Sequence, residues 1–400
     1  MVNGGFSRRG GPCGIRTVPP MNETTDHMDE TDRELDAVVI GGGQAGLAIG
    51  YHLRRQDRDF VILDDRRRVG DAWRTRWDSL RLFTPARYDG LPGMRFPGDG
   101  LAFPTKDELA DYLEAYATRN ALPIRLGVHV DGVRRDGDVF TISAGDRRWR
   151  AQRVIITTGA FHEPRVPDFA RGLRASIVQL HSAEYRNPGQ LQPGPVLVVG
   201  LGNSGAEIAR ELSRTHATSV SGTPGGELPV RHGRMAARFV FPLVRFAGLH
   251  VLSLGTAVGR RVLPKLTSHA APLIRTRRKE LAAAGVEAVG RVTGVSDGLP
   301  VTADGRVHAV ANVIWCTGFR SDFGWLQVPA FDETGRFRQW RGVVESVPGL
   351  YVLGLDAMYS INSESLPGIV RDAAYLARQL RAPRRVRSTV DGEPATANAA

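Results

Sequence analysis

The sequence predicts an α/β protein with two dinucleotide-binding domains of the Rossmann type, the second inserted in the first. Three observations predict this fold. A glycine-rich turn stands between a short apolar strand and a helix at residues 36–55, and the same arrangement recurs at residues 196–214. A Thr-Gly pair also ends a buried strand twice, at Thr158-Gly159 and at Thr317-Gly318. With 400 residues, 42% of them hydrophobic, the chain is long enough for two cores.

The first glycine-rich turn, Gly41-Gly42-Gly43-Gln44-Ala45-Gly46, is typical of a pyrophosphate-binding turn. Its first glycine allows a sharp exit from the strand, its second lets backbone approach a pyrophosphate, and its third lets the helix pack on the sheet. Asp64 follows the second strand, Phe60–Leu63, where a carboxylate can accept the hydroxyl groups of an adenosine ribose. The candidate nucleotide-binding residues are therefore Gly41, Gly43, Gln44, Ala45, Gly46 and Asp64.

The second turn has the same glycine spacing but a different end to its second strand. Gly200, Gly202 and Gly205 repeat the pattern, and Asn203 and Ser204 can hydrogen-bond phosphate oxygens. The strand Thr218–Ser221 ends without an acidic residue, and Gly222 follows it. This leaves the choice between NADPH and NADH open. Three basic residues lie downstream, Arg231, His232 and Arg234. Two interpretations of them stay open, because they could bind a 2′-phosphate or could form an exposed basic loop.

Further patterns divide the rest of the chain. A helix is predicted over Lys106–Arg119, and alternating residues after it predict a small antiparallel insertion. The stretch Phe239–Val262 is apolar enough to suggest a membrane span, but prolines and charges interrupt it and favour a helix pair covering a domain. We expect a disordered leader at 1–34, a first domain formed by 35–165 and 310–381, a second domain at 166–309, and a disordered tail at 382–400.

Composition narrows the functional classes. The formal net charge is +11, but lysine occurs at only three positions, so the charge favours anionic small molecules over nucleic acid. The two cysteines, Cys13 and Cys316, are far apart and form neither a disulfide framework nor a zinc-binding spacing. We therefore expect a cytoplasmic protein without a metal site and without stable membrane insertion.

Two nucleotide-binding folds in a chain without a nucleophile motif indicate electron transfer between FAD and a reduced nicotinamide cofactor. The chain has no GxSxG, HExxH or Walker lysine, and it lacks the cysteine pair of a dithiol reductase. The partners expected are a small-molecule substrate and molecular oxygen. No acid or base side chain can be nominated as catalytic, and the oligomeric state stays open, with a homodimer as one option.

Several ordered motifs resemble those of the flavin-containing monooxygenase superfamily over about residues 36–380. The resemblance is greatest to a bacterial branch labelled as flavoproteins involved in cation or potassium transport, which is also similar to the plant indole-pyruvate monooxygenases. The motifs that carry it, besides the two glycine turns, are Gly70-Asp71-Ala72-Trp73-Arg74, the run Trp77–Pro85, Thr158-Gly159 and Cys316-Thr317-Gly318-Phe319.

The resemblance implies an FAD/NAD(P)-binding fold in which NADPH reduces FAD, oxygen adds to give a C4a-hydroperoxyflavin, and one oxygen atom passes to a small organic substrate. It implies FAD binding by the first glycine turn and nicotinamide-cofactor binding by the second. It also places Trp73, Arg74 and Thr84 along FAD and the backbone of Val130 at the adenine. Two further cofactor-binding residues, Gly318 and Asp356, would lie near the flavin, as would Gly159 at the first strand break.

Three departures distinguish the chain from the family pattern, and two alternative functions stay open, the first supported by the degraded linker signature and the second only by the apolar stretch Phe239–Val262. The interdomain linker signature survives only as His181 and Tyr185, Gly222 replaces an arginine, and Phe83 replaces an asparagine that lies near the flavin in eukaryotic relatives. The alternatives are an NAD(P)H oxidase or reductase without oxygen insertion and a flavin-binding regulator of an ion-transport system. His181 has two interpretations, a hinge residue between the domains or a hydrogen-bonded core histidine.

Overall fold

The fold was analysed in a computed structural model, which describes residues 34–223, 225–228, 231–267, 272–355 and 358–381. Most of the expected leader and the whole expected tail lie outside the described residues. Residue 34, placed in the leader by the sequence, belongs to a strand. In the first part of the chain the elements are β1 Glu34–Leu35, β2 Ala37–Ile40, α1 Gln44–Arg55, β3 Phe60–Asp64, α2 Asp71–Arg74, α3 Lys106–Arg119, β4 Ile124–Leu126, β5 Gly132–Asp136, β6 Val139–Ala144, β7 Arg147–Ala151, β8 Val154–Ile156 and β9 Glu163–Pro164.

The middle and the end of the chain add strands and helices of two further groups. The middle contains β10 Val178–His181, β11 Val196–Val199, α4 Asn203–Leu212, β12 Thr218–Ser221, α5 Phe241–Phe246, α6 Ala257–Thr267, α7 Arg278–Ala283, β13 Glu287–Val289, β14 Val292–Ser296, β15 Leu299–Thr302 and β16 Asn312–Trp315. The end contains β17 Phe319–Arg320, β18 Gln339–Trp340, β19 Val343–Val344, β20 Leu350–Val352 and α8 Leu366–Arg381.

A seven-stranded sheet carries the first glycine turn. Its order is β18-β19-β20-β8-β2-β3-β4, and the five strands from β20 to β4 run parallel. Every residue of β2 and β8 is buried, as expected for central parallel strands covered on both faces. Helices α1 and α8 pack on one face, where Leu47, Ile49 and Leu376 join a large apolar core. The turn after β2 therefore lies at the carboxyl edge of a rigid sheet.

A second, five-stranded parallel sheet carries the second glycine turn. Its order is β10-β16-β11-β12-β13, and all residues of β11 and β16 are buried. The two sheets confirm the predicted fold class of two Rossmann-type domains. Strand β16 pairs with β10 and β11, so the boundary expected at residue 310 falls before the last strand of the second sheet. Strand β16 belongs to the second unit because its four buried residues pair with β10 on one side and β11 on the other.

Local sequence explains several element boundaries. Helix α3 spans the predicted residues and begins with a capping box, in which the Glu108 backbone N donates to Thr105 Oγ1 (3.1 Å) and the Thr105 backbone N donates to Glu108 Oε2 (2.7 Å). The predicted antiparallel insertion is present as strands β5, β6 and β7, and β1 pairs with β7 in parallel at the edge of the same sheet. Its first strand, β5, begins at Gly132.

The apolar stretch at residues 239–262 is helical. Two π-helical turns, Ala236–Val240 and Ala247–Val251, flank α5, and α6 follows. Across the described ranges no helix combines the length and the apolar character needed to cross a bilayer. This helical run lies against the loop at residues 81–103 of the first unit.

Candidate functional site

The first glycine turn encloses open space at the start of α1. Gly41 has φ +107°, and a Cβ on it would lie 2.7 Å from the carbonyl oxygen of Thr157. A Cβ on Gly46 would lie 1.9 Å from the carbonyl oxygen of Gly41, which explains why the turn can only close around glycine. Gly43 differs, because a Cβ there would meet no atom within 4 Å and its φ of −74° suits any residue. Protein packing therefore does not require glycine at position 43.

The N-terminus of α1 faces this space with unused hydrogen-bond donors. Gly43 is the N-cap, and no side chain caps the helix. The first backbone N–H groups of a helix have no partner within it, and they make its N-terminus electropositive. Gln44 and Ala45 supply two of these N–H groups. This arrangement can hold an anionic pyrophosphate.

Asp64 lies beside the turn at the end of β3. Its Oδ2 accepts a hydrogen bond from the Gly42 backbone N, and its Oδ1 accepts one from the Arg66 backbone N (2.8 Å). A carboxylate has about four acceptor sites, so capacity remains for hydroxyl donors. Burial raises the pKa of Asp64, and the two N–H donors oppose that shift. The carboxylate is thus fixed in position and can still accept bonds from a ribose.

Val130 belongs to a segment that is bonded to the end of β3, where Asp64 lies. The Val128 backbone N donates to the Asp64 carbonyl oxygen (2.8 Å), which ties this segment to the end of β3. Val130 is buried, and its own N–H and C=O have no partner among the described residues. A buried, unpaired peptide group is costly, so a ligand with complementary edges would be favoured there.

Trp73 and Arg74 follow the turn into α2, with different surroundings. Trp73 Nε1 donates to Gln44 Oε1 (3.1 Å), so the indole lies next to the glycine turn. The Arg74 guanidinium bonds the carbonyl oxygen of Val69 (2.6 Å) and the carboxylates of Asp111 (2.8 Å) and Glu114 (3.1 Å). These ion pairs hold α2 against α3, and they occupy a side chain that the family resemblance placed along FAD.

Thr84 contacts a residue that the sequence analysis missed. Its Oγ1 donates to Oδ1 of Asp89, whose side chain is fully buried. The second oxygen, Oδ2, has no partner among the described residues, and burial raises the pKa of Asp89 to about 8. The carboxyl group therefore carries a proton at neutral pH. No sequence pattern marks Asp89, because only the folded chain buries it.

The two strand breaks meet at the junction between the sheets. Gly159 and Gly318 have φ of +75° and +82°, and a Cβ on either would meet no atom within 4 Å. Directly after them, β9 pairs antiparallel with β17 and joins the two units. Both predicted glycines thus border open space where the units connect. Asp356, the other residue predicted near the flavin, lies outside the described residues.

An aromatic and cationic cluster lies at this junction. The Phe161 and Phe319 rings are 5.3 Å apart, and the Arg76 guanidinium lies 5.9 and 5.6 Å from their centres. Burial lowers the pKa of Arg76. None of these residues was predicted as a site residue, although Phe319 belongs to a motif that carries the family resemblance. A usable signal existed for two of them, since an aromatic residue follows closely after each Thr-Gly break.

His181 is a hydrogen-bonded core residue at the same junction. Its Nε2 donates to the Gly318 carbonyl oxygen (3.0 Å), and its Nδ1 accepts from the Ala183 backbone N (3.1 Å). Burial lowers its pKa, so the ring is neutral in this arrangement. Both ring nitrogens are therefore used in hydrogen bonds at the junction loop, which supports the interpretation as a hydrogen-bonded core histidine, while the hinge interpretation stays a prediction.

The second glycine turn repeats the geometry of the first. A Cβ on Gly200 would lie 2.2 Å from the Cys316 carbonyl oxygen, and one on Gly205 would lie 1.9 Å from the Gly200 carbonyl oxygen. Gly202 is the N-cap of α4 with φ −88°, and a Cβ there would meet no atom within 4 Å. The neighbouring Ser204 hydroxyl has no partner among the described residues. A second anion site can therefore form here.

Asn203 is used differently from the prediction that its side chain bonds phosphate. Its Nδ2 donates to the Pro272 carbonyl oxygen (3.0 Å), and its Oδ1 accepts from the Ile274 backbone N (2.9 Å). The amide thereby holds the loop that precedes α7 against the glycine turn. Because Asn203 is the first residue of α4, its backbone N–H remains directed toward the space before the helix.

The basic residues considered for a 2′-phosphate contact the first unit instead. His232 Nε2 donates to the Phe83 carbonyl oxygen (3.0 Å), and its ring lies 3.9 Å from that of Phe103. Arg234 forms an ion pair with Asp99. Arg231 is exposed. Two of the three side chains thus help to join the units.

Gly222, which follows β12, has a steric explanation. Its φ is +132°, and a Cβ on it would lie 3.0 Å from the Leu201 backbone N. An arginine at this position would strain the backbone and press on the second glycine turn. The structure therefore selects glycine here for packing, and a cation for a 2′-phosphate has to come from elsewhere.

Glu207 and Arg275 form a buried ion pair that also joins the two units. The pair is 3.1 Å long, and Arg275 Nη2 donates to the carbonyl oxygens of Arg81 (3.1 Å) and Leu82. Burial raises the pKa of Glu207 to about 7 and lowers the pKa of Arg275. The second turn's helix is thereby connected to the segment of the first unit that leads to Thr84.

Comparisons with known proteins agree with this geometry. Residues 38–227 match the family model described as pyridine nucleotide-disulphide oxidoreductase. A CzcO-like oxidoreductase of Geobacillus kaustophilus is 38% identical over 86% of this chain and 97% of its own length. A probable indole-3-pyruvate monooxygenase of Arabidopsis thaliana, YUCCA7, is 26% identical over 79% of this chain and 82% of its own length.

Solved structures share the same architecture. A flavin-containing monooxygenase of Stenotrophomonas maltophilia superposes with a TM-score of 0.70 at 30% identity and covers 87% of this chain and 98% of its own.

Proposed function

Because this chain belongs to the flavin-containing monooxygenase superfamily, in the bacterial branch that includes the CzcO oxidoreductases, and is a flavin-dependent oxidoreductase, we propose that it oxidises NADPH and transfers one oxygen atom to a small organic substrate. The observation that carries the proposal is the pair of glycines, Gly43 and Gly202. Both have ordinary φ angles and border open space before a helix, so neither is required by packing and both suit a bound pyrophosphate.

The first site suits FAD. In this proposal the turn from Gly41 to Gly46 binds the pyrophosphate through the N–H groups of α1, and Asp64 accepts the ribose hydroxyls. The unpaired backbone of Val130 supports a contact with the adenine. Trp73 lies in α2 and is hydrogen-bonded to Gln44 of this turn. The Thr84–Asp89 pair lies in the chain segment between α2 and α3.

The second site suits NADPH. Gly200, Gly202, Ser204 and Gly205 would bind its pyrophosphate at the start of α4. No acidic side chain ends β12, where a carboxylate would repel a 2′-phosphate and accept the free hydroxyl of NADH. The exposed Arg231 is available as a cation. These features favour NADPH, with NADH as the alternative reductant.

The flavin, when bound, accepts hydride and reacts with oxygen, while the chain binds, orients and shields. The Arg76, Phe161 and Phe319 cluster lies at the junction where the two units connect, and Phe161 is 58% exposed there. Cys316 is the one cysteine in the described residues, and burial raises the pKa of its thiol to about 12. The thiol is therefore unreactive, and the sequence offers no second cysteine nearby for disulfide chemistry.

One observation favours a second function, NADPH oxidation without oxygen insertion. Phe83 stands where, by the family resemblance, the eukaryotic monooxygenases have an asparagine near the flavin, and its ring packs 5.2 Å from the Arg275 guanidinium. An amide donor to a reactive oxygen species is therefore absent at this position.

Coupling stoichiometry distinguishes the two functions. The FAD-loaded protein would be supplied with NADPH and a panel of thioethers, amines, ketones and 2-oxo acids, and NADPH consumption, hydrogen peroxide and oxygenated product would be measured together. Product formed at close to one per NADPH supports the monooxygenase. Peroxide at one per NADPH with every compound contradicts oxygen insertion and supports the oxidase.

A further inference from the structure

Exposed apolar side chains are concentrated in one helical segment. Among the described residues, seven of the twelve exposed large apolar side chains fall within residues 235–258, a run of 24 residues. Monomeric proteins seldom expose contiguous apolar area of this kind without a binding role. We refer to this surface as the 235–258 face. Its exposed apolar members are Met235, Phe239, Leu243, Val244, Phe246, Val251 and Val258.

Four of these side chains form a stripe along one side of the helical run. Met235, Phe239, Leu243 and Phe246 are 71%, 58%, 70% and 60% exposed, and they follow one another at intervals of four, four and three residues. Such spacing places side chains on the same side of a helix. At 1.5 Å per residue the stripe is about 16 Å long.

The opposite side of the run is held firmly against the protein. The Arg87 guanidinium donates to the Ala237 carbonyl oxygen, and Arg371 Nη1 donates to the Leu249 carbonyl oxygen (2.6 Å). Ala236, Ala237 and Leu249 are buried. The stripe therefore projects from an anchored helical run and does not result from a loosely packed segment.

The charged residues of the helical segment itself have a single sign, and Asp99 of the first unit is paired with Arg234 at its start. Residues 228–279 contain no Asp or Glu. Arg238 and Arg245 are exposed beside the stripe, and Arg260 and Arg261 are exposed on α6. An apolar stripe with basic margins is the pattern of helices that lie in the interface of anionic membranes, because apolar side chains enter the acyl boundary and arginines pair with headgroups.

We propose that the 235–258 face docks peripherally on the surface of a bilayer rich in anionic phospholipid. A second copy of the chain fits this face less well, because a symmetric contact would bring the basic margins of two copies together without an acidic residue in the segment to pair with them. The proposal is independent of the proposed enzymatic function.

Vesicle co-sedimentation of the full-length, FAD-loaded protein tests the proposal. The vesicles would contain phosphatidylcholine alone or equal parts of phosphatidylcholine and phosphatidylglycerol. Binding to the mixed vesicles at low salt is expected, with little binding to phosphatidylcholine alone and a clear decrease at about 0.5 M salt, where charges are screened over roughly 4 Å. The triple variant F239Q/L243Q/F246Q is expected to lower the bound fraction at least about tenfold, since each large apolar side chain favours burial.

Two further variants and one control make the test specific. R238Q/R245Q is expected to weaken binding to the mixed vesicles while leaving the Tm unchanged. The control V166Q/V307Q replaces two apolar side chains that are exposed elsewhere and is expected to bind like the wild type. Because exposed substitutions change stability little, Tm and bound flavin are expected to stay unchanged in every variant.

Three outcomes would overturn the proposal. The first is a wild-type protein that does not sediment with the anionic vesicles. The second is a triple variant that binds them as well as the wild type. The third is a wild-type dimer in sedimentation velocity that the triple variant dissociates, which would make the face a self-association interface. None of these outcomes depends on NADPH oxidation, so the enzymatic proposal is judged separately.

Discussion

The two glycine turns of this protein have nearly the same backbone geometry and different surroundings. In each, the first glycine packs on a carbonyl oxygen of the neighbouring strand end, of Thr157 in one and Cys316 in the other, and the middle glycine borders open space. After the second strand, however, the first site has Asp64 and the second has Gly222. In the proposed function the helix-start geometry would bind a pyrophosphate at both turns, and the residue at the strand end would distinguish the nucleotides.

A second difference lies in how each turn is connected to the rest of the protein. Gln44 of the first turn bonds Trp73 within its own unit, whereas Asn203 holds the loop before α7 and Glu207 is paired with Arg275, which reaches the first unit. The first turn therefore makes this contact within its own unit, as suits a resident cofactor. The second is connected to its neighbour, as suits a cofactor that has to be oriented against the first.

The largest effect is expected when the open space of the first turn is filled. Gly43→Val places a side chain where the pyrophosphate would lie, while its φ of −74° accommodates valine. FAD affinity should fall at least about a hundredfold, or roughly 2.7 kcal/mol. Flavin absorbance after purification and titration of the apoprotein with FAD measure it.

Gly294→Val is the matched control for that variant. A Cβ at Gly294 also meets no atom within 4 Å, but this residue lies in β14, away from both turns. It should retain FAD. Normal flavin content in Gly43→Val would contradict FAD binding at the first turn.

A side chain at the second turn should affect NADPH binding without affecting FAD binding. Gly202→Val is expected to retain FAD and to raise the KM for NADPH about thirtyfold or more, because the steric conflict arises only with the visiting nucleotide. Steady-state NADPH oxidation measures KM and kcat. Loss of flavin from this variant would contradict the assignment of separate cofactors to the two turns.

Because Asp64 ends the second strand of the first site, replacing it is predicted to weaken FAD binding. Asp64→Asn removes the charge that favours the ribose hydroxyls, and FAD affinity should fall about tenfold, since a hydrogen bond to a charged group contributes roughly 1.5–3 kcal/mol. Calorimetric titration of the apoprotein measures the Kd. Asp65→Asn is the control, because Asp65 is an exposed neighbour that pairs with Arg66. Equal affinity in the Asp64 and Asp65 variants would exclude the ribose role.

The smallest effect concerns stability and pH at Asp89. The folded-state pKa of about 8 lies above the unfolded value, so folding favours the protonated form. The stabilising contribution is complete below about pH 4 and is lost as pH rises toward 8, with a slope of up to about 1.4 kcal/mol per pH unit.

Asp89→Asn should remove that part of the pH dependence. Urea unfolding of wild type and variant at pH 6 and pH 7 measures it, with the exposed Asp168→Asn as control. An unchanged slope in Asp89→Asn would show that Asp89 is ionised in the folded protein.

Sequence alone could predict the secondary-structure elements and turns that are determined by residues close together in the chain. Each glycine turn with its strand and helix, the helix Lys106–Arg119 and the strand Thr218–Ser221 are encoded within about twenty residues, and the structure has them as predicted. Their periodicity and caps act locally, so the fold class followed from them.

Features that depend on distant contacts could not be predicted in this way. The ion pairs of Arg74 with Asp111 and Glu114 join residues about 40 positions apart, and the Asn203 amide bonds residues about 70 positions away. Asp89 becomes unusual only when the fold buries it. Likewise, β16 could be assigned to the second sheet only once its partners β10 and β11 were known.

Anaerobic reduction of the bound flavin by NADPH, in the wild type and in Gly202→Val, tests the central claim most directly. The account predicts a yellow wild-type protein whose flavin absorbance is bleached by NADPH. It also predicts a Gly202→Val protein that is equally yellow, bleached equally by dithionite, and bleached much more slowly by the same NADPH concentration. Equal rates with NADPH in both proteins, or a wild type that NADPH does not bleach, would contradict it.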